Sequence, residues 1–428
     1  MITPWTAEQV AAVAADAASV AAARRLAAPQ TWDRAGVCAE PAVVFGECQG
    51  SGKTPYVTVV DLAGPAWTCT CPSRKLPCKH ALALLLLWSA GSVPDAPEPS
   101  PAAGAWLDKR SARAERSVQR AAAPRRPPSP ATVARRTERI TGGVDDLTAW
   151  LEDQVARGVA APARDEIRRT AARLVDAQAP GLAARVRDIH VVTRDPAWPG
   201  TLLESYGLLH IVADAYRRAD TLPGDLGAVV RRHVGEPTRT DDVLAQPPLR
   251  DVWDVLAIHT DETRRPAVYR THLRGRTCGR SLVLVEVGPR TAGVQLAPGT
   301  SIDADLHPHP ADRDRAVLGT VHRPAAPIDE PPHADPAHAL TQLWTAAVTA
   351  DPWIERHPVV LSGADLRRDS DGGWVVDLGG DAVAVVESST TAAYAAVAGG
   401  RPATLVGDCT PHGLELRSIW DGRRLVTP

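Results

Sequence analysis

The chain has 428 residues, which exceeds one ordinary hydrophobic core and predicts two or three domains. Its net charge of −2 excludes a protein that binds polyanions along its whole length, so any nucleic-acid surface must be local. Seven cysteines, an odd and modest number for this length, argue against a secreted scaffold held together by disulfides.

The N-terminal part of the sequence predicts a small mixed module. Residues 5–28 are rich in Ala and predict a helix that ends near Pro29. Residues 42–60 contain the β-branched runs VVF and YVTVVDL, which predict two strands around the loop GECQGSGKTP. A cysteine-rich turn and a helix over about 79–89 follow. The predicted order is strand, strand, turn and helix, a ββα arrangement.

Four residues of metal-ligating type lie in the segment CTCPSRKLPCKH, with the spacing C-x-C-x6-C-x-H. They are Cys69, Cys71, Cys78 and His80. Sulfur and nitrogen donors in a closed set of four are typical of structural Zn²⁺, because no position remains for a substrate. A disulfide between Cys69 and Cys71 would be strained, an iron–sulfur cluster usually takes four cysteines, and a thioredoxin-like site needs C-x-x-C. The segment therefore predicts structural zinc.

The same segment resembles the SWIM zinc finger, whose defining pattern is C-x-C, a spacer and C-x-H. The stretch GECQGSGKTPYVTVVDLAGPAWTC is similar to the lead-in of bacterial SWIM-finger proteins, so the resemblance covers about residues 45–90. It implies that the four residues above are the zinc ligands and that the protein binds DNA or other proteins. It also implies a complex with an AAA+ ATPase and a von Willebrand A-domain protein, beside which bacterial members often occur.

The predicted helix of the finger offers nothing that reads a DNA sequence. Its sequence, ALALLLLWSAG, is apolar on every side and has no Arg, Lys, Asn or Gln for base edges. We expect it to pack on the N-terminal domain or on a partner. Phosphate contacts would have to come from nearby basic residues, which we call the basic knuckle: Lys53, Arg74, Lys75 and Lys79. An ordinary solvated turn is the alternative interpretation.

The composition changes at Pro94, where the predicted N-terminal domain (1–93) ends. Residues 94–140 are rich in Pro and Arg and predict an extended basic linker. Between Asp108 and Ile140, ten Lys or Arg residues against three acidic residues give a local charge of +7. Two interpretations stay open for this linker: a solvated, partly disordered connector, or a tether that attracts nucleic acid or an acidic protein surface.

Two further regions complete the prediction. Residues 141–245 predict a helical domain, in which Leu147, Trp150, Leu151 and Val155 recur at helical spacing before Gly158. Residues 246–428 consist of short β-branched runs between Gly and Pro and predict a β-rich domain, interrupted by helices near 336–350 and 390–397. The expected fold class is α+β and multidomain: a zinc-stapled ββα-type module, a helical middle and a β-rich C-terminal region.

Two near-motifs are set aside. Gly52-Lys53-Thr54 ends like a phosphate-binding P-loop, but Glu47 stands where the first glycine is required and Pro55 follows where a helix should begin. His307 and His309 could suggest a second metal site, but no nearby residue completes it, so a surface loop is favoured. The sequence contains no G-x-S-x-G, H-E-x-x-H or protein-kinase motif.

We therefore expect a binding protein and not an enzyme. The first hypothesis is a zinc-binding interaction protein that joins a partner complex; the alternative is non-specific nucleic-acid binding through the basic knuckle and the linker. The first thirty residues lack the basic start of a signal peptide, and the longest apolar run, 81–90, is too short to span a bilayer. The expected location is the cytoplasm, with no membrane and no small-molecule substrate as partner.

Overall fold

A computed structural model describes most of the chain. The described residues are 4–14, 17–50, 54–63, 66–73, 77–122, 129–158, 162–192, 198–261, 267–288 and 296–427. They form an N-terminal domain with helices and strands, a helical middle and a β-rich C-terminal region, as the sequence predicts.

The N-terminal domain is an antiparallel four-stranded sheet covered by helices. Its elements are α1 (Ala7–Ala12), α2 (Ala17–Leu26), β1 (Trp32–Cys38), β2 (Val43–Cys48), β3 (Tyr56–Asp61), β4 (Ala66–Cys69) and α3 (Lys79–Ser89). The strands follow each other in the order β1-β2-β3-β4. The predicted strands and the helix after the cysteines are confirmed, whereas the single helix predicted over 5–28 is two helices. Strands β1 and β4 were not predicted, because charged residues and a bulge interrupt the alternation of β1 and because β4 has only four residues.

Helix α3 lies in the middle of this domain, between the sheet and the helices α1 and α2. Its side chains are buried on all sides, including Leu82, Leu84, Leu85 and Trp88. Trp88 packs edge-on against Trp5 at 6.4 Å between ring centroids. Each fully buried leucine contributes about 1.5–3 kcal/mol relative to an exposed one, so the buried leucines of α3 stabilise the domain substantially.

The region predicted as an extended linker, 94–140, is mostly helical over its described residues. Helix α4 (Pro101–Ala122) covers about half of it, and α5 (Pro130–Ala156) begins within it and continues into the helical middle. Ser129 caps α5 by accepting a hydrogen bond from the backbone of Thr132. The correction has a simple cause: Pro101 and Pro130 each lie at the first position of a helix, where proline is tolerated, so they mark helix starts and not extended chain.

The helical middle continues from α5 with α6 (Arg164–Asp176), α7 (Pro180–Val192), α8 (Trp198–Arg217), α9 (Leu226–Val234) and the short α10 (Thr240–Leu244). The core between α5 and α9 is built from side chains at helical spacing, among them Leu147, Trp150 and Leu151. Val155, predicted on the same face, is exposed, since it lies in the last turn of α5.

A close approach between α7 and α9 fixes the end of this bundle. A Cβ atom at Gly181 would lie 2.2 Å from the carbonyl oxygen of His233, so only glycine fits there. This contact places His233 and its neighbour Arg232 at the side of the bundle that faces the β-rich region.

Five strands of the β-rich region form a sheet that closes on itself, which we call the closed sheet. They are β5 (Leu249–Asp261), β6 (Val268–Gly275), β7 (Ser281–Val287), β8 (Thr300–His309) and β9 (Asp312–Pro327). The path is β5-β6-β7-β9-β8, and β8 pairs back onto β5. Only the β7–β9 pair is parallel among these five strands.

The remaining strands form a second sheet. Its elements, with two helices, are β10 (Asp335–Pro336), α11 (Leu340–Ala350), β11 (His357–Arg368), β12 (Trp374–Asp377), β13 (Ala382–Ala384), α12 (Thr391–Ala398), β14 (Ala403–Thr410), β15 (Gly413–Trp420) and β16 (Leu425–Val426). The strand order is β13-β12-β11-β14-β15-β16, and β10 pairs with β11. Both predicted helices are confirmed. One of the short runs from which strands were predicted, GVQLAPG at 293–299, forms no strand over its described residues, 296–299.

The three regions pack against one another. The side-chain amide of Gln9 donates to the carbonyl of Gly299 at 2.7 Å, and Ala297 joins the N-terminal core. Trp353, which precedes β11, is buried in the core of the helical middle, and its indole N–H donates to the carbonyl of Leu208 at 3.2 Å. No helix within the described ranges combines the length and the apolar character needed to cross a membrane.

Candidate metal centre

The four residues of the C-x-C-x6-C-x-H pattern meet at one place, where β4 ends and α3 begins. Cys69 is the last residue of β4, and Cys71 follows two positions later. Cys78 is the N-cap residue of α3, and His80 is the second residue of that helix. Their ligand atoms all lie within 4.8 Å of one another. Among the described residues, no other cluster of this kind is found.

The distances between these atoms suit a tetrahedral zinc site. The Sγ atom of Cys69 lies 3.7 Å from Nδ1 of His80, and the Sγ atom of Cys78 lies 3.9 Å from the same nitrogen. With zinc–sulfur bonds of about 2.3 Å and zinc–nitrogen bonds of about 2.0–2.1 Å, a tetrahedron separates sulfur and nitrogen by roughly 3.6 Å. The donor set therefore fits Zn²⁺, with His80 facing the sulfurs through Nδ1.

The three thiols influence one another strongly. The Cys78 thiol donates to Cys69, and hydrogen bonds from His80 and Thr58 add to this, which lowers the pKa of Cys69 to about 4. The same hydrogen bond and burial raise the pKa of Cys78 well above its usual range, and burial raises the pKa of Cys71. All three sulfurs can be thiolates at the same time only if a divalent cation balances their charge. The cluster therefore suits a metal ion.

Neighbouring side chains hold the ligands in place. Thr58, on β3, donates its hydroxyl proton to the Sγ atom of Cys69 at 3.2 Å. The ring of Tyr56 packs on the imidazole of His80 with 4.9 Å between centroids. His80 and Cys78 are buried, so solvent has little access to this side of the site. Such outer contacts orient metal ligands and add to their affinity.

The basic knuckle is described at only one of its residues. Lys79 is the first residue of α3 and is exposed. Lys53, Arg74 and Lys75 lie outside the described residues. Of the four residues of the basic knuckle, the described part of the chain therefore places Lys79 beside the metal cluster.

The comparisons with known proteins agree with this geometry. The fold and the four-residue cluster are those of a protein with a structural zinc finger. A family model of the SWIM zinc finger matches residues 59–88, and a model of the SWIM-associated four-helix bundle domain matches residues 135–234. The chain thus carries a SWIM zinc finger followed by its associated bundle, and it binds structural zinc. No curated protein and no solved structure matches the chain.

The other near-motifs find ordinary structural roles. His307 and His309 lie on strand β8 and not on the surface loop that the sequence favoured; His309 is buried, and His307 Nδ1 contacts the carbonyl of Gln246 at 2.9 Å. Glu47, which occupies the first glycine position of the P-loop pattern, lies on β2 and pairs with Arg34 at 3.3 Å.

The sequence gave no indication of a second polar cluster, which joins the helical middle to the β-rich region. The Nε2 atom of His233 contacts Asp351 at 2.8 Å, and Arg232 also pairs with Asp351. Arg185 donates to Nδ1 of His233 at 3.0 Å, so the ring proton sits on Nε2 and is donated to Asp351. We call this cluster the junction network.

Charge and burial oppose each other in the junction network. Burial alone would raise the pKa of Asp351, but the hydrogen bond from His233 and the charge of Arg232 outweigh it and hold this pKa below its ordinary value. Burial lowers the pKa of His233, although the hydrogen bond to Asp351 opposes this. No sequence signal marked these residues, because isolated Arg, His and Asp residues are typical of any solvated surface.

Proposed function

We propose that this chain is a protein–protein interaction protein. In this proposal the zinc ion stabilises the N-terminal domain, and the SWIM-associated bundle presents the binding surface. The observation that carries it is a stripe of exposed apolar residues on α8 within that bundle. SWIM fingers are associated with protein or nucleic-acid binding, and the alternatives are separated below.

The stripe consists of Leu203, Gly207 and Ile211, which follow each other at four-residue spacing on α8. The side chains of Leu203 and Ile211 are 53% and 54% exposed. A Cβ atom at Gly207 would meet nothing within 4 Å, so the backbone between them is open. An apolar stripe at this spacing on the outside of a helix, with a gap at its centre, suits the side chains of a partner helix.

The zinc finger supports the same proposal because its structure is unsuited to reading DNA or to catalysis. Helix α3 is buried inside its own domain, so it is not free to enter a DNA groove. The closed set of four ligands leaves no position at which zinc could activate a substrate, and on this ground we propose that the metal centre is not catalytic.

The partner and location remain part of the proposal. The resemblance to bacterial SWIM-finger proteins implies an AAA+ ATPase and a von Willebrand A-domain protein as partners, in the cytoplasm. These two proteins are therefore the first candidates in a binding experiment.

The experiment is co-purification of the tagged full chain from its native host, followed by mass spectrometry. We expect stoichiometric protein partners that nuclease treatment does not release. The double variant Leu203→Glu/Ile211→Glu should lose them, since two charges in an apolar interface centre remove the contact. Purified AAA+ ATPase and von Willebrand A-domain protein, mixed with the chain, then test the named candidates.

The matched control is Val287→Glu, which changes an exposed apolar residue on β7, outside the bundle. It should retain the partners. Equal loss in both variants, or unchanged binding in the α8 variant, would remove the stripe from consideration.

A second function, non-specific nucleic-acid binding, is favoured by one specific feature. In the described part of the segment with a local charge of +7, Lys109 and Arg116 on α4 and Arg135 and Arg139 on the first turns of α5 are exposed. Arg110 does not belong to this surface because it pairs with Asp61 at 3.0 Å. A positive helical surface of this kind binds phosphates without reading bases.

Titration of a generic DNA duplex at several salt concentrations tests this alternative. If it holds, affinity should fall steeply between 50 and 200 mM salt, by roughly tenfold or more for two or more phosphate contacts. The variant Arg135→Glu/Arg139→Glu should weaken binding, and reversal of Arg74, Lys75 and Lys79 should weaken it further if the basic knuckle contributes. Binding that is independent of salt would exclude this function.

A further inference from the structure

A cavity of about 300 Å³ lies where the helical middle, the closed sheet and the second sheet meet. We call it the junction cavity. Arg232 and His233 of α9 line it from the bundle, His272 and Arg315 line it from the closed sheet, and Asp408 of β14 lines it from the second sheet. Ligand sites are commonly formed at such meeting points of structural units, with a few convergent polar groups.

The strand register places the residues of the closed sheet in one row. His272 on β6 pairs with Val283 on β7, and Val283 pairs with Arg315 on β9. Side chains at paired positions of neighbouring strands point to the same face of a sheet. The cavity wall therefore presents an imidazole and a guanidinium on either side of a valine.

Several polar atoms in this wall have no partner. Among the described residues, the buried side-chain atoms without a hydrogen bond include both ring nitrogens of His272, Nε of Arg315 and Nε of Arg232. His272 is only 3% exposed, and the carboxylate oxygen of Asp408 lies 3.7 Å from its Nδ1, beyond hydrogen-bond distance. Buried polar groups are normally satisfied, so this cluster indicates a missing partner.

The carboxylates of the wall are already engaged. Asp351 accepts from His233 and Arg232, Asp408 accepts from Arg417 at 2.8 Å, and Asp314 contacts His357 at 2.7 Å. Among the described residues that line the cavity, five are arginines and five carry carboxylates, so their charges balance. What it lacks is acceptor oxygens for the donors that remain.

We propose that the junction cavity binds a small molecule through an oxyanion group, a phosphate or a carboxylate, contacted by Arg315 and His272. An oxyanion supplies several acceptor oxygens at once and forms charge-assisted bonds with a guanidinium. The site is separate from the zinc finger and does not depend on the proposed function. A ligand large enough to fill the cavity would also contact the bundle and the second sheet and would therefore stabilise their arrangement.

Calorimetric titration of the full zinc-loaded chain tests this, with inorganic phosphate and succinate as separate probes at constant ionic strength. Saturable binding of phosphate alone identifies a phosphate site, and saturable binding of succinate alone identifies a carboxylate site. Binding of neither probe overturns the proposal.

The variant Arg315→Gln should weaken probe binding by about tenfold or more, because a hydrogen bond to a charged group is worth at least one decade in affinity. The matched control is Arg323→Gln, which removes the same charge from the same strand at an exposed position. The control should change the affinity less than about twofold. Equal weakening in both variants would show only general attraction and would refute the site.

A second variant keeps the test valid if Arg315→Gln folds poorly. Val285→Phe enlarges a half-buried residue of the cavity wall and removes no charge. It should reduce probe binding by narrowing the cavity, while the zinc content stays at that of the parent. Unchanged affinity in a folded Val285→Phe variant would place the probe elsewhere and contradict the proposal.

Discussion

The zinc finger and the junction network hold the molecule together in opposite ways. All four metal ligands lie within residues 69–80, so the chain folds around the ion locally. The junction network joins residues that are far apart in sequence, such as His233 and Asp351, which are separated by 118 positions. One site concentrates its stability in a few metal–ligand bonds, and the other distributes it over paired charges.

The difference teaches how the strength of a contact depends on its surroundings. Zinc bonds to three thiolates and an imidazole are strong by themselves. A buried ion pair gains little in net terms because desolvation opposes the attraction, but removal of one partner leaves an uncompensated charge. The finger should therefore respond to loss of the ion, and the junction network should respond to loss of either partner.

The largest expected effect is loss of zinc. The variant Cys78→Ser, or chelation of the metal, should unfold the N-terminal domain, since zinc binding contributes roughly 10–16 kcal/mol in small finger peptides. The helical middle and the β-rich region should stay folded. Limited proteolysis, with mass spectrometry of the fragments, locates the cleavage sites.

The control is Cys278→Ser, a change at an exposed cysteine that does not belong to the metal cluster. Its proteolysis should match that of the parent. Equal resistance in Cys78→Ser and the parent would contradict a stabilising role for the metal.

The next effect concerns the junction network. Asp351→Ala removes the carboxylate that accepts from Arg232, His233 and the backbone N–H of Trp353, while Arg232 keeps its ion pair with Asp312 at 3.2 Å. Three lost hydrogen bonds to a charged group should cost about 3–5 kcal/mol. Urea unfolding measured by circular dichroism should show a lower midpoint for the bundle. Asp220→Ala, which breaks an ion pair with Arg231 at a largely exposed carboxylate, should change stability by less than about 1 kcal/mol. If the two variants lower the urea midpoint equally, the junction network contributes no more to stability than an exposed ion pair.

A smaller effect concerns Asp254 in the closed sheet, whose pKa is raised by burial and lowered by its ion pair with Arg276. Burial raises the pKa of Asp254 to about 6, although Arg276 pairs with it at 2.8 Å. Because the folded state holds this proton more tightly, the stability that Asp254 contributes is fully present below about pH 4 and is lost as the pH rises through 6. The stability of the parent relative to Asp254→Asn should therefore fall by at most about 3 kcal/mol between pH 4 and pH 7.

The comparison variant for this pH series is Asp303→Asn. The hydrogen bond from Arg250 lowers the pKa of Asp303, so its contribution is present at neutral pH and is lost as the pH falls. The difference between this variant and the parent should therefore move in the opposite direction. Two curves with the same slope would show that burial does not control Asp254.

The smallest effect concerns the hydrogen bond from Thr58 to the zinc ligand Cys69. Thr58→Val removes the hydroxyl that donates to Cys69 and should lower zinc affinity by about tenfold, the lower end of the range for contacts that orient metal ligands. Competition with a chelator measures it. Thr68→Val, the same change at a position beside Cys69 on β4, should leave the affinity close to that of the parent.

Much of the fold was predictable where the signal was local. The helix over 79–89, the strands β2 and β3 and the succession of regions follow from periodicity and from turn residues. The error over 94–140 has a local cause as well: proline marks an extended chain and the start of a helix equally well, and only the structure distinguishes the two.

The sequence by itself determined the zinc site, because four residues of the right chemistry at fixed spacing suffice for a metal ion that binds them tightly. Tertiary structure alone decided which of the scattered Arg, His and Asp residues became buried. It brought His233 to Asp351, and it placed His272 and Arg315 beside one cavity. The physical reason is that the energy of a charged group depends on its partner and on the dielectric constant around it. Both are set only when distant segments of the chain pack together.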